Sequence, residues 1–161
     1  TQSTYANSCH VAEVEVDIKT GHIKVTRVLV NHDCGNVINP LIVHGQIVGG
    51  VAHGIGNALF EQLLFDSNGQ PLTTSFAEYL LPMAPDVPNV EVLHTVSPSP
   101  LNPIGVKGAG EGGTIAVIAA IISAIEDALK PFDVRLADMP ITPEQIILKI
   151  RAAKASRAAV G

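Results

Sequence analysis

Residues 11–30, VAEVEVDIKTGHIKVTRVLV, decide the fold. Over 11–18 apolar and acidic residues alternate, the period of a half-buried strand. Lys19-Thr20-Gly21-His22 reads as a turn, and 23–30, IKVTRVLV, as the returning strand. An antiparallel hairpin followed by helical patterns predicts an α+β fold, with hairpin strands packed against about three helices. Residues 31–36 read as a polar loop containing Asp33-Cys34-Gly35. Asn39-Pro40 then supplies an N-cap and a proline at the first helical position. The helix is expected from residue 40 to about residue 64, with Ile47, Val51, Ile55, Ala58 and Leu59 at three- and four-residue steps. It carries Gly45, Gly49, Gly50, Gly54 and Gly56, each costing roughly 1 kcal/mol relative to alanine inside a helix. Close approach of another backbone, or of a flat ligand, is the natural reason for them.

Further along, Asp66-Ser67-Asn68-Gly69 is a turn. Residues 82–103 hold six prolines, with a strand expected inside this loop-rich region at 90–96, VEVLHTV. A helix over 113–129 is apolar on nearly every face and should be buried. Thr142-Pro143-Glu144-Gln145 fits a capping box with proline at the first position of a last helix. No internal repeat or domain boundary is visible.

The chain of 161 residues is 47% apolar and 16% charged, against roughly 25% charged in an average globular domain. Its mean hydropathy is positive. A surface this poor in charge is expected to pack against a partner, the alternative being a compact Ala/Ile-rich globule standing alone. The formal charge of −5 leaves no basic stripe for nucleic acid. Lys149, Arg151, Lys154 and Arg157 gather only near the tail, where they decorate a helix end. The longest apolar run, residues 115–125, is short of the roughly 20 residues a bilayer needs. The opening Thr1-Gln2-Ser3 suggests a cut product or a trimmed subunit. Cys9 and Cys34 could form one disulfide, but a reduced, cytoplasmic chain is the expectation.

The sharpest chemical feature is residues 105–113, GVKGAGEGG, ahead of the buried helix. Loop amides before a helix N-terminus form a ready anion site, and glycines admit a ligand close to the backbone. Gly108, Gly110 and Gly113 satisfy G-x-G-x-x-G. A dinucleotide site would also need a strand running straight into the first glycine and an acid ending a second parallel strand. The approach here is the proline-rich 97–103, SPSPLNP, so the match is accidental. No Gly-Lys-Ser/Thr follows, which excludes a P-loop. Glu111 taken alone could be an acid favourably placed in a helix's first turn. Crowded by glycines and followed by a buried helix, it is also a general-base candidate. Gln46, on the glycine-lined helix, can donate to and accept from a heterocycle or an oxo group without adding charge. Simple small-residue helix packing explains the same stretch equally well. His44 and His53 lack a metal-ligand spacing and read as structural or exposed, and no C-x-x-C pair supports zinc at Cys9/His10 and His32/Cys34.

Three groups occur in order: Asn39-Pro40 with Gly45-Gln46, Gly49-Gly50 and Gly54-Ile55-Gly56; then the segment from Gly105 to Glu111; then Met139-Pro140-Ile141-Thr142-Pro143-Glu144. This order resembles the C-terminal part of the molybdenum-binding large subunit of the xanthine oxidase family, which includes aldehyde oxidoreductases and carbon monoxide dehydrogenase. The resemblance spans essentially the whole chain, residues 1–161. It implies a portion of a larger molybdopterin-binding domain that does not fold independently. It also implies molybdenum on a molybdopterin cofactor, commonly the cytosine dinucleotide form in bacteria, with iron–sulfur clusters and FAD on partner chains. In that family a glutamate of the glycine loop deprotonates a metal-bound hydroxyl, whose oxygen attacks an electrophilic carbon. Glu111 falls on that base, Gln46 on the glutamine beside pterin and metal, and Lys107, Gly108, Ala109 and Gly110 on the cofactor-facing loop. The partners implied are the remainder of the molybdenum subunit, iron–sulfur and flavin subunits or domains, and a small-molecule substrate. A non-catalytic assembly subunit packing small-residue helices on a larger partner is the alternative. The glycines after Glu111 differ from the Glu-Pro-Pro of animal xanthine oxidases and disfavour that branch.

Overall fold

The computed structural model describes residues 4–160. Thr1, Gln2 and Ser3, read above as a trimmed start, lie outside the described residues. Strands β1 (Asn7–Val16) and β2 (Ile23–Asp33) form the expected hairpin. Its turn is held by the Asp17 carboxylate, which accepts from the Lys19 amide at 2.8 Å, and by Gly21 at φ +76°. Both strands are longer than the alternation alone marked out. β2 runs through His32 and Asp33, so the polar loop begins at Cys34. A bulge at Glu13/Val14 opposite Thr26 resets the register midway. Cys9 is exposed, Cys34 buried, and both thiols are free.

The third strand, β3 (Val90–His94), pairs parallel to β2, giving a mixed sheet in the order β1-β2-β3. A parallel neighbour requires a crossover, supplied by helix α1 (Pro40–Leu59) and the long segment after it. The Asn39 side chain accepts from the amides of Leu41 and Ile42, and Pro40 fills the first turn, as the sequence predicts. Replacing Asn39 with alanine removes that cap and is expected to cost about 1 kcal/mol, measurable as a lower unfolding midpoint of the full-length subunit. α1 stops at Leu59 instead of near residue 64. The Gly56 carbonyl takes the amides of both Phe60 and Glu61, and the Ala58 carbonyl is taken by the Ile141 amide at 2.7 Å. Leu64 then pairs across the Asp66–Gly69 turn with Thr73 and Leu72.

Helix α2 (Val117–Ala128) begins four residues after Gly113, because residues 112–116 form turns pinned by neighbouring backbone. Helix α3 (Pro143–Val160) starts on the predicted capping box: the Gln145 amide donates to Thr142 Oγ1, and the Thr142 amide donates to Gln145 Oε1, both at 3.2 Å. The core lies between one sheet face and the helices, with Val28, Val30, Ile47, Val51, Ile55, Ile121 and Ile125 fully buried. No helix among the described residues is long and apolar enough to cross a membrane.

Candidate active site

The segment carrying Glu111 is fixed at two anchors and free between them. The first anchor is the end of β2. Gly35 bridges Val106, the Lys107 amide donates to the Cys34 carbonyl at 2.8 Å, and the Asn36 amide donates to the Gly105 carbonyl at 3.1 Å. Gly105 sits at φ +67°, where a side chain would also strike Asn36 and Pro98. At the centre of this anchor the buried Asp33 carboxylate accepts from the Gly35 amide (2.8 Å), the Ser97 amide (3.2 Å) and hydroxyl, and the Lys107 ammonium (3.0 Å). The ammonium also donates to Ser97 Oγ at 2.7 Å. Burial alone would push the Asp33 carboxyl up. The donors from Ser97, Gly35 and Lys107 outweigh it and hold the group well below the usual carboxylate range.

The second anchor is a seam between α1 and residues 112–114. Gly50 and Gly54, four apart, share a helix face. A Cβ at Gly50 would lie 2.9 Å from Gly113 Cα, one at Gly54 would collide with the Val117 side chain, and one at Gly113 would collide with the Ile47 carbonyl. Thr114 Oγ1 donates to the Gly50 carbonyl at 3.1 Å across the seam. The helix glycines are thus partly explained by close backbone approach. Because the atom facing Gly113 is rigid main chain, Gly113→Ala is expected to cost roughly 1–3 kcal/mol through overpacking, read in the unfolding midpoint of the full-length subunit.

Between the anchors, Gly108, Ala109, Gly110 and Glu111 form an open bow. Ala109 rests against the core, while Gly108, Gly110 and Glu111 are exposed. Among the described residues no hydrogen bond engages the amides of Gly108, Ala109 or Gly110, or the Glu111 carboxylate. The Glu111 carbonyl accepts from the amides of Thr114 and Ile115, opening the turns toward α2. Gln46 is exposed on α1, beside the Ile47 carbonyl that faces Gly113. The seam thus joins the stretch of α1 next to Gln46 to the turn that follows Glu111. Gly45 and Gly49, on the open side of α1, have no atom within 4 Å of a would-be Cβ, and the same holds for Gly108 and Gly110. Uncovered glycines, three unengaged amides and a neutral amide side chain are groups that suit a flat, anionic, hydrogen-bonding ligand.

Lys107 stands apart from the rest of the expected set, since its amide and its ammonium both hold the first anchor. His44 and His53 are exposed. The cleft lined by His22–Val25, Leu59, Phe60, Asp86 and Pro143 contains no residue of the glycine loop. Three residues that border the loop are not legible in the sequence as its supports: Asp33 reads there as part of a polar loop, and His10 and His32 only as zinc-ligand candidates. His10 Nε2 lies 3.0 Å from the Gly112 carbonyl, and the fully buried His32 ring lies directly against Gly112. The only advance signal was the alternation Val28, Val30, His32, which carries the histidine into the covered face.

Residues 1–88 match the model of the molybdopterin cofactor-binding domain, a stretch that includes Gln46 and ends before the glycine loop. The chain is 46% identical over 143 residues to the nicotine 6-hydroxylase large subunit of Paenarthrobacter nicotinovorans, covering 89% of this chain and 18% of that protein. It is 38% identical over 143 residues to the carbon monoxide dehydrogenase large chain of Hydrogenophaga pseudoflava, with 89% and 18% covered. Quinoline 2-oxidoreductase from Pseudomonas putida 86 superposes with a TM-score of 0.88 at 44% identity, over 91% of this chain and 19% of that one. The chain belongs to the molybdenum-binding large subunits of the xanthine oxidase family. It spans under a fifth of the length of these relatives.

Proposed function

We propose that this chain carries the general base of a molybdenum hydroxylase, an oxidoreductase that hydroxylates an electrophilic carbon of an aldehyde or N-heterocycle with water-derived oxygen. The observation that carries the reading is the bow itself: an exposed Glu111, its carboxylate unpaired among the described residues, held between two fixed anchors. When bound, the molybdopterin–molybdenum group, in its cytosine dinucleotide form, supplies the oxygen and accepts the electron pair. Gln46 and the amides of Gly108, Ala109 and Gly110 would hold it, with Lys107 contributing by fastening the loop to Asp33. Glu111 takes a proton on its carboxylate as the carbon–oxygen bond forms, and releases it to solvent afterwards.

The site needs completion by other chain. Leu41, Phe76, Leu63 and Phe65 are large apolar residues between 57% and 84% exposed, surface that the rest of the molybdenum subunit would cover. On this reading residues 1–161 are the C-terminal portion of its molybdopterin-binding domain and do not fold alone. Electrons leave to iron–sulfur and FAD-bearing partners. The reducing cytoplasm is its setting, in keeping with free Cys9 and Cys34. The test is Glu111→Gln in the full-length subunit, with turnover and metal content read together.

A further inference from the structure

Glu111 is followed by two glycines, the residues least able to fix their own backbone. The seam at Ile47 fixes Gly113, and the Glu111 carbonyl is tied to the Thr114 and Ile115 amides, but neither contact engages the Gly112 carbonyl. Two imidazoles occupy that gap. His10, on β1, lies 3.0 Å from the Gly112 carbonyl, and a carbonyl oxygen only accepts, so Nε2 carries the hydrogen. Its Nδ1 is buried with no partner among the described residues. His32, on β2, forms the floor: a Cβ on Gly112 would collide with its Cε1. Both His32 nitrogens are buried without a partner among the described residues. Burial lowers both histidines from their ordinary value, with repulsion from His32 adding to it at His10 and from His94 at His32. The Gly112 hydrogen bond at His10 and the Asp33 charge at His32 work the other way.

We infer that His10 is a positioning residue for Glu111, setting the carboxylate's place through its hydrogen bond to the Gly112 carbonyl over the His32 floor. The inference rests on Glu111 acting as the base. A small displacement at a reacting group is enough to slow a reaction about a hundredfold, which is why one bond on a neighbouring peptide matters.

The test compares two amide replacements in the cofactor-loaded full-length subunit. Glutamine places its amide nitrogen where Nε2 stands, whereas asparagine is too short to reach the Gly112 carbonyl. His10→Asn is expected to lower kcat by roughly 10–100-fold, the usual range for groups supporting an active-site residue, with KM and molybdenum content unchanged. Deuterium uptake over residues 108–113 should rise in that variant, whether or not the cofactor is bound. His10→Gln should restore both rate and protection. Equal rates for His10→Asn and the parent overturn the inference, as does a His10→Gln enzyme no better than His10→Asn. A His10→Asn chain that fails to load metal also counts against it, because positioning predicts a folded, loaded, slow enzyme. Full activity in Glu111→Gln would defeat the base itself. An inactive Glu111→Gln beside an active His10→Asn would defeat only the role of His10.

Discussion

Glu111→Gln in the full-length subunit is expected to lower kcat by about 10²–10⁴-fold, the span that a positioned general base commonly contributes. Glutamine keeps the size and polarity of the side chain and loses only the ability to take a proton. The Glu111 carboxylate is exposed and makes no hydrogen bond among the described residues, so the exchange disturbs no internal side-chain partner. Molybdenum content and KM should therefore stay at parent levels while turnover collapses. Unchanged turnover would instead favour the assembly-module reading, in which the glycines serve helix packing alone. Mild purification from the native source supplies an independent check, since the proposed enzyme should co-elute with its partner chains, molybdenum, iron and flavin.

The second large effect concerns the buried pair at the first anchor. Asp33→Ala leaves the Lys107 ammonium, whose side chain is only 10% exposed, with Ser97 Oγ as its partner. Removing one member of a buried pair commonly costs roughly 3–5 kcal/mol, because the remaining charge stays desolvated. A lower denaturation midpoint and faster amide exchange over residues 95–107 are the expected readouts. The double replacement Asp33→Ala with Lys107→Met removes the stranded charge and should recover much of the loss. Its pH dependence has a definite sign. Asp33 titrates below its unfolded value of about 4, so its contribution is complete above that pH and fades only as the pH falls through the lower folded value. The gap between parent and Asp33→Ala should thus stay constant from pH 8 to about pH 5 and close in strong acid. A single variant as stable as the parent would remove the anchor from the account.

Local rules made much of this molecule readable in advance. The hairpin follows from a two-residue period, the start of α1 from Asn39-Pro40, and the start of α3 from the Thr142–Gln145 box. Each depends on residues close together in the chain. Helix ends were less legible, because α1 stops where the Ala58 carbonyl meets Ile141 from a distant loop. The parallel pairing of β3 could not be read either, since a strand's sequence does not name its neighbour. For the site, the resemblance supplied Glu111 and Gln46, and the glycine spacing supplied the reason for close approach. The supports were hidden: Asp33 meets Lys107 across 74 residues, and His10 meets Gly112 across 102. The resemblance put Lys107 on the cofactor-facing loop, and its long-range acid could not be foreseen because Asp33 lay in what read as a loop.

The seam between α1 and the glycine turn has a bearing on biogenesis. Thr114 and Gly50 are 64 residues apart, and the carboxylate reaches its place only after those two stretches have met. On the proposed reading, a nascent or half-assembled polypeptide carries the acid without a working base. Turnover in this enzyme would then double as a gauge of correct tertiary assembly.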